Sequence, residues 1–331
     1  MKKISVLKKF LFSILFLAGS FCWLNAQIAE NQLVKIAKFR GNKPAAISYT
    51  FDDGYVEHYT VAAPELEKHG FRGTFWVNGT THQKNEQQIT DTTRATWAQL
   101  KEMAERGHEI SNHGWSHKNL NRITREEIIE EIRKNDSIIF LKTGVMPVTY
   151  CYAYNSKNDE AVRLASENRV GTRMFQRSIG SKITDESLEK WVNELLENGE
   201  WGVGMTHGIS YGYDAFRFPA VFWRHLEKVK AQEDKIWVGT FREIAAYEKE
   251  RDCIRLDISS KRKKIKITPS HPLDKNLYAE ELTMVVNTQK KKIKSVKQGK
   301  KTLPFQPVSP EKTIFDFDPN GSMVSVRFSN Y

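Results

Sequence analysis

The chain has 331 residues, 40% of them hydrophobic and 27% charged, enough for one large α/β domain and a smaller one. Its three cysteines are too few for a disulfide-stapled scaffold. The formal net charge of +11 is concentrated at the two ends, with 16 Lys/Arg against 7 Asp/Glu from Cys253 onward, and nucleic acid is not an expected partner.

The N-terminus reads as a secretory signal. Lys2, Lys3, Lys8 and Lys9 precede an apolar run from Phe10 to about Leu24, and Leu24-Asn25-Ala26 offers a small-residue cleavage site. The run is short for a membrane span and is interrupted by Gly19, Ser20 and Asn25. Residues 1–26 are expected to be removed, leaving a periplasmic or secreted protein that starts near Gln27. Cys22 suggests a lipoprotein, but Phe21 stands where such sites need a small residue. Cys151 and Cys253 then remain, and no bridge between them is expected.

Residues 27–252 form the expected main domain. Short apolar runs alternate there with amphipathic stretches. Strands are predicted at Ala46–Thr50, Thr74–Val77, His108–Ser111, Val148–Tyr152, Arg169–Arg173, Gly202–Thr206 and Ile236–Gly239. Helices are predicted between them, at Tyr59–His69, Trp97–Arg106, Arg125–Lys142, Asn158–Glu167, Asp185–Glu197, Pro219–Ala231 and Phe241–Glu250. Thr124-Arg125-Glu126-Glu127 reads as a capping box, and Gly70 and Gly107 fit helix ends. Seven strand–helix units imply a parallel sheet rolled into a distorted (β/α)7 barrel, with its site at the strands' C-terminal ends.

Residues 253–331 alternate in two-residue period without a helical stretch, predicting a small antiparallel β-sandwich domain. No candidate catalytic residue lies in it, so a chain ending near Arg251 is expected to keep its chemistry. Its basic runs, Lys261–Lys264 and Lys290–Lys292, suit an acidic glycan or a membrane surface, or are solvated lysines that discourage edge pairing. The protein is expected to be a monomer.

The chemistry starts at Thr50-Phe51-Asp52-Asp53-Gly54. Successive strand side chains point to opposite faces, so adjacent carboxylates share one space only where the strand ends and the chain turns. One can then hold a metal while the other moves a proton. His113 and His117 follow the third predicted strand, and a spacing of four puts both imidazoles on one face if the segment is a helical turn. Two such imidazoles with a carboxylate make a common zinc site with open positions. His207 ends the strand Gly202–Thr206 and fits a general acid or a further ligand. His108 reads as structural, and His58, His69, His82, His225 and His271 as surface residues. Trp76, Trp115, Tyr211 and Tyr213 are candidates for stacking on sugar rings.

With these residues placed, the chain resembles the polysaccharide deacetylases, carbohydrate esterase family four. The resemblance rests on Thr50–Gly54, on His113-Gly114-Trp115-Ser116-His117 and on Thr206-His207-Gly208, and spans about residues 45–252. It implies Asp52 as catalytic base, Asp53, His113 and His117 as ligands of a divalent metal (zinc first, cobalt or nickel also suitable), and His207 as acid. The family's third motif, Arg-Pro-Pro-Tyr-Gly, falls here on Cys151-Tyr152-Ala153-Tyr154-Asn155. Tyr154 matches the tyrosine whose backbone N–H helps hold the oxyanion, but the arginine that braces the base is replaced by Cys151. Arg173, ending the next predicted strand, is the candidate substitute. The implied activity is removal of N- or O-linked acetyl groups from a carbohydrate polymer or oligosaccharide. The alternatives are a catalytically impaired glycan-binding protein on the same fold, or an aspartate-dependent phosphatase, which would need neither the histidine pair nor adjacent aspartates.

Overall fold

The computed structural model describes residues 33–82 and 93–329. The expected signal segment, Cys22 included, lies outside the described residues. Within them no helix is long and apolar enough to cross a membrane. The chain divides into two compact units. Strand β1 (Val34–Ile36) belongs to the smaller. The larger then alternates β2 (Ala45–Asp52), α1 (Ala63–Lys68), β3 (Thr74–Val77), α2 (Trp97–Glu105), β4 (Glu109–Asn112), α3 (Arg125–Thr143), β5 (Thr149–Tyr150), α4 (Asp159–Ser166), β6 (Gly171–Thr172), β7 (Arg177–Ser178), α5 (Asp185–Asn198), β8 (Trp201–Thr206), α6 (Ala220–Lys230), β9 (Ile236–Val238) and α7 (Phe241–Cys253).

These strands make one curled parallel sheet in the order β6-β5-β4-β3-β2-β8-β7, with β9 also on β2. Strand β8 runs along Ala46–Phe51 on one edge of β2. The other edge is shared, Ala45–Ile47 pairing with β9 and Thr50–Asp52 with β3. Strands β6 and β7 end the sheet, so the barrel stays open between two strands that are neighbours in the chain. This is the distorted (β/α)7 architecture with one addition. Strand β7 is a two-residue strand of Arg177 and Ser178, with no apolar residue to mark it in the sequence.

Every residue of β2 is buried, as a central parallel strand covered on both faces must be. Its alternation decides what each face does. Ala45, Ile47, Tyr49 and Phe51 join the outer core with Leu66, Phe222 and Leu226. Ser48, Thr50 and Asp52 take the inner face. There Trp201 Nε1 donates to Ser48 Oγ (3.1 Å) and Thr50 Oγ1 donates to the Gly204 carbonyl (3.1 Å). Asp52 thus faces into the barrel because it sits two and four residues beyond them.

The predicted helix Tyr59–His69 is divided. A π-helical turn over His58–Ala62 leads into α1, and Pro64 in α1's first turn lacks the N–H that a continuous α-helix would use. Helix α3 starts as predicted, Thr124 Oγ1 accepting from Glu127 N, and ends where Gly144 turns left-handed at φ 78°.

Three histidines read as surface residues are buried: His58 and His82 are 0% exposed and His225 is 3%. His69 and His271 are half-buried. Periodicity ranked these polar residues outward, whereas each of the three buried rings has a specific internal partner. His225 Nε2 meets Tyr49 Oη at 2.8 Å, and His82 Nδ1 donates to the Ala95 carbonyl at 2.8 Å. Burial holds both His58 and His225 down at about 4. A depressed histidine keeps its full stability contribution above the unfolded value of about 6.5 and loses it as pH falls toward 4. Stability is therefore expected to drop between pH 7 and pH 5, by on the order of 2 kcal/mol for each histidine. Urea melts at the two pH values test this, and His225→Gln should flatten the slope.

The smaller unit adds β10 (Arg255–Lys261), β11 (Lys264–Ser270), β12 (Leu282–Asn287), β13 (Ile293–Gln298), β14 (Lys301–Leu303), β15 (Gln306–Ser309), β16 (Lys312–Phe317) and β17 (Val324–Phe328). They form two antiparallel sheets, β1-β12-β16-β15 and β10-β11-β17-β13-β14. The division departs from a single cut at Cys253 in two places. Strand β1, which precedes the barrel in the chain, pairs with β12 and satisfies that strand's outer backbone groups. Pro272–Glu280 belongs with the larger unit, where Leu273, Leu277 and Tyr278 pack on Val148, Val170 and Ala246. Tyr278 Oη also donates to the Arg169 carbonyl (3.3 Å). A chain ending near Arg251 therefore loses part of the larger unit's own packing. Tyr278→Ala in the full chain should cost about 2–4 kcal/mol in denaturant unfolding while leaving turnover per folded molecule unchanged. Cys151 and Cys253 are free thiols, as expected.

Candidate active site

The C-terminal ends of the parallel strands surround a cavity of about 490 Å³ lined by Asp52, Asp53, His113, His117, Arg173 and His207, among others. Each arrives there by a distinct local device. Asp52 is the last residue of β2. Asp53 leaves the strand in the left-handed region at φ 71°, followed by Gly54 at φ 60°. That turn swings the second carboxylate away from the opposite face, where a continued strand would have sent it.

His113 and His117 follow β4, but the segment between them is not a helical turn. Gly114 (φ 82°) and His117 (φ 57°) are both left-handed, and the imidazoles converge with ring centroids 4.9 Å apart. The shape is imposed from α3 and β3. Glu131 accepts from Ser116 N (2.9 Å) and from the Ser116 hydroxyl. Asn78 Nδ2 donates to the His113 and Gly114 carbonyls (2.7 and 3.2 Å). Asn112 Oδ1 accepts from Gly114 N (2.7 Å) and Asn135 Nδ2 (2.8 Å). None of these four polar residues was singled out in the sequence, because lone Asn and Glu residues carry no spacing signal.

Asp53, His113 and His117 bring one donor atom each to within 4.8 Å of one another. Asp53 Oδ1 lies 3.5 Å from the Nε2 atoms of both histidines, is buried, and has no hydrogen-bond partner among the described residues. His113 Nδ1 donates to the Cys151 carbonyl (3.0 Å), so the lone pair of a neutral ring sits on Nε2, toward Asp53. Burial pushes His113 down, against the raising influence of Asp52 and Asp53, which favours that neutral form. An orphaned carboxylate oxygen facing two lone-pair nitrogens fits a divalent cation. A second grouping, Asp52–His113–Cys151, fits less well. Both oxygens of Asp52 are already engaged, and burial pushes the Cys151 thiol well up, keeping it protonated.

Asp52 is held by Arg173. Nη1 donates to Oδ1 at 2.7 Å and Nη2 to Oδ2 at 2.5 Å, with Nη1 also 3.1 Å from Thr50 Oγ1. Asp52 is 3% and Arg173 2% exposed. Burial alone would raise the carboxyl, but the Arg173 charge outweighs it, with help from His113 and His207, and brings Asp52 down to about 2. Arg173 extends from the end of β6, adjacent to β5, and reaches across the barrel interior. Cys151 occupies the intervening wall with Sγ 3.9 Å from Asp52 Oδ2.

His207 Nε2 lies 3.9 Å from Asp52 Oδ2, with the Tyr213 ring edge-on to its imidazole at 4.8 Å. Its Nδ1 has no hydrogen-bond partner among the described residues, so no carboxylate orients the ring. The backbone does so instead. His58 Nε2 donates to the His207 carbonyl (2.6 Å), and Glu57 accepts from Ile209 N (3.1 Å), Ser210 N (2.8 Å) and the Ser210 hydroxyl. Tyr154 is left-handed at φ 58°, stacks edge-on against His117 at 4.6 Å and leaves its ring 67% exposed at the cavity mouth. Left-handed backbone at Asp53, His117 and Tyr154 costs about 1–3 kcal/mol each, and such strain gathers at functional sites.

The aromatic residues divide. Tyr213 is 73% exposed and lines the cavity, and Tyr211 is 37% exposed. Trp76 is 0% exposed inside the barrel, against Phe241 and below the Arg173 guanidinium, so it cannot stack on a sugar. Trp115 covers Gly79, where a Cβ would approach its ring to 2.4 Å.

Comparison with known proteins bears on this geometry. Residues 40–173 match the family model of the polysaccharide deacetylases. The peptidoglycan-N-acetylmuramic acid deacetylase PdaA of Bacillus subtilis is 33% identical over 181 residues, which is 53% of this chain and 64% of that protein. The peptidoglycan-N-acetylglucosamine deacetylase PgdA of Listeria monocytogenes is 26% identical over 149 residues, 45% of this chain and 28% of that protein. The chain thus spans under a third of the length of its Listeria relatives. Among solved structures, a Mycobacterium smegmatis protein assigned to the polysaccharide deacetylases aligns over 66% of this chain and 94% of its own, with a TM-score of 0.54 at 16% identity, a likeness of fold. The matched span, residues 40–173, carries Asp52, Asp53, His113, His117, Tyr154 and Arg173, and this part of the chain is similar to the polysaccharide deacetylases.

Proposed function

We propose that the protein is an exported, metal-dependent deacetylase that hydrolyses acetyl groups from a polysaccharide. The observation that carries this reading is the convergence of Asp53, His113 and His117 beside a carboxylate, Asp52, that Arg173 holds ionised in a dry setting. A divalent cation bound there, zinc by the nature of its ligands, would supply Lewis acidity toward an acyl carbonyl. Asp52 is ionised at any physiological pH and acts as the base that takes a proton from the attacking water. His207, across the cavity, gives a proton to the departing amine or alcohol. The Tyr154 segment, turned left-handed at the rim, supports the oxyanion through its backbone N–H. Export rests on residues 1–26 of the sequence alone.

The relatives' names make acetylated peptidoglycan the first substrate to try, followed by chitin oligomers, and acetylated xylan completes the panel as a further acetylated polysaccharide. Acetate release across that panel, with and without chelator, tests the proposal. Release that is lost on chelation and restored by zinc supports it. A metal-loaded protein that releases acetate from none of them favours glycan binding without turnover.

Arg173→Lys separates holding Asp52 from merely charging its surroundings. Lysine keeps the charge but cannot form the two-pronged contact that fixes the carboxylate plane. The variant should lose about 10–100-fold in kcat while retaining its metal content. Equal losses of metal and turnover would mean that Arg173 supports the metal ligands instead.

A further inference from the structure

The smaller unit carries a charge arrangement that the barrel chemistry does not use. In the five-stranded sheet, Ile265, Ile267, Val296, Val324 and Val326 are buried on one face, so their neighbours along each strand lie on the other. Pairing register aligns that outer face into two adjacent rungs. One runs Lys261–Lys264–Arg327–Ser295, and the next runs Ser259–Lys266–Ser325–Lys297–Thr302. Strands lie roughly 5 Å apart and same-face residues roughly 7 Å apart along each strand, so five cations form a flat lattice interleaved with hydroxyls. Neither rung contains an acid. Asp257, paired with Thr268 one rung further on, is the nearest carboxylate in register. The ion pairs made by lysines of this unit, Lys290 with Glu311 and Lys301 with Glu281, lie off both rungs.

Edge protection does not account for this. Lysines blunt exposed edge strands, yet β11 and β17, which carry Lys264, Lys266 and Arg327, are interior strands of the sheet. Directly opposed like charges are unfavourable in a sheet, and Lys261 faces Lys264, which in turn faces Arg327. Burial, Arg327 and Lys266 together push the Lys264 ammonium down, a sign of uncompensated crowding. A sheet that tolerates such repulsion at its centre gains by receiving anions.

We propose that this outer face docks a linear polyanionic polysaccharide. The two rungs hold no large apolar or aromatic side chain, so they lack both the wedge that seats a protein in lipid and the platform on which bases stack. Serine and threonine hydroxyls between the cations suit a chain of hydroxyls and acidic groups. That the polymer is a polysaccharide rests on the family reading of the other unit; the preference for a polyanion does not.

The test is binding of the full chain to polygalacturonate and heparin, with dextran as the neutral reference, across a salt series. Both polyanions should bind with affinity that falls steeply with salt, and dextran should not bind. The triple variant Lys264→Gln/Lys266→Gln/Arg327→Gln should bind at least about tenfold more weakly, with a flatter salt dependence. Its melting temperature should be unchanged or higher, since repulsion is relieved, which separates lost docking from lost folding. A charge-matched variant of helix lysines, Lys101→Gln/Lys190→Gln/Lys228→Gln, should bind like the parent. The proposal is overturned if neither polyanion binds, if the helix variant loses as much as the sheet variant, or if anionic phospholipid vesicles or duplex DNA bind more tightly than both polymers. Because no turnover is measured, failure here leaves the deacetylase reading standing, and failure of that reading leaves the charge lattice to be judged by its binding.

Discussion

If the proposed function holds, Asp52→Asn is expected to lower kcat by about 10²–10⁴-fold without lowering the metal content. Asparagine preserves shape but cannot accept the proton, and the other carboxylate described in the cavity, Asp53, belongs to the proposed metal-ligand set. The same change has a cost for folding. Arg173 is 2% exposed, and its guanidinium gives two of its three contacts to Asp52. Removing the carboxylate leaves a buried cation facing an amide, and breaking a buried pair from one side typically costs about 3–5 kcal/mol. A second substitution separates the two effects. Asp52→Asn/Arg173→Met should regain most of the lost stability, because the unpaired charge is gone, and should remain as inactive as the single variant. Recovery of turnover in the double variant would show that Asp52 matters for packing and not as a base.

The other large effect is expected at His117. The proposed site predicts one metal equivalent per parent chain, and removal of His117 should reduce this to a small fraction and activity by more than about 100-fold, as read by elemental analysis and acetate release. Asparagine is the informative replacement. His117 sits at φ 57°, where alanine adds about 1–2 kcal/mol of backbone strain of its own, whereas asparagine tolerates that conformation. His113→Ala should empty the site too, with a larger loss of stability, since it leaves the Cys151 carbonyl without its partner in the interior. Full metal content in either variant would exclude that residue as a ligand. Chelation of the unaltered protein should reproduce the loss of activity and, unlike the substitutions, be reversed by added zinc.

The architecture was legible because it depends on local repetition. Alternating runs such as Ala46–Thr50 and Gly202–Thr206, separated by helical stretches, require a parallel sheet, and a parallel sheet places its functional groups at the strands' C-terminal ends. Asp52, Asp53, His113, His117 and His207 each stand just there in the chain, so their meeting in one cavity follows from the pattern. That Arg173 could reach Asp52 follows from strand order, since its strand neighbours the one that leads to Cys151.

What the pattern does not carry is the identity of partners far apart in sequence. The Cys151 carbonyl that sets the His113 ring, Glu131 that shapes the histidine turn, and Glu57 and His58 that hold the His207 loop appear in sequence as unremarkable single residues. A spacing of four would bring the histidine pair together on a helical turn, and two left-handed residues, Gly114 and His117, do so instead. His58 and His225 read as surface residues and are buried, and Trp76, one of four candidates for stacking on sugars, belongs to the core. Strand β1 and the segment Pro272–Glu280 sit in units their sequence neighbourhood does not announce. Periodicity reports how often a side chain returns to one face. Whether that face meets water, another strand or a lone carboxylate is decided by which distant segments pack against it, and only the tertiary structure brings those together.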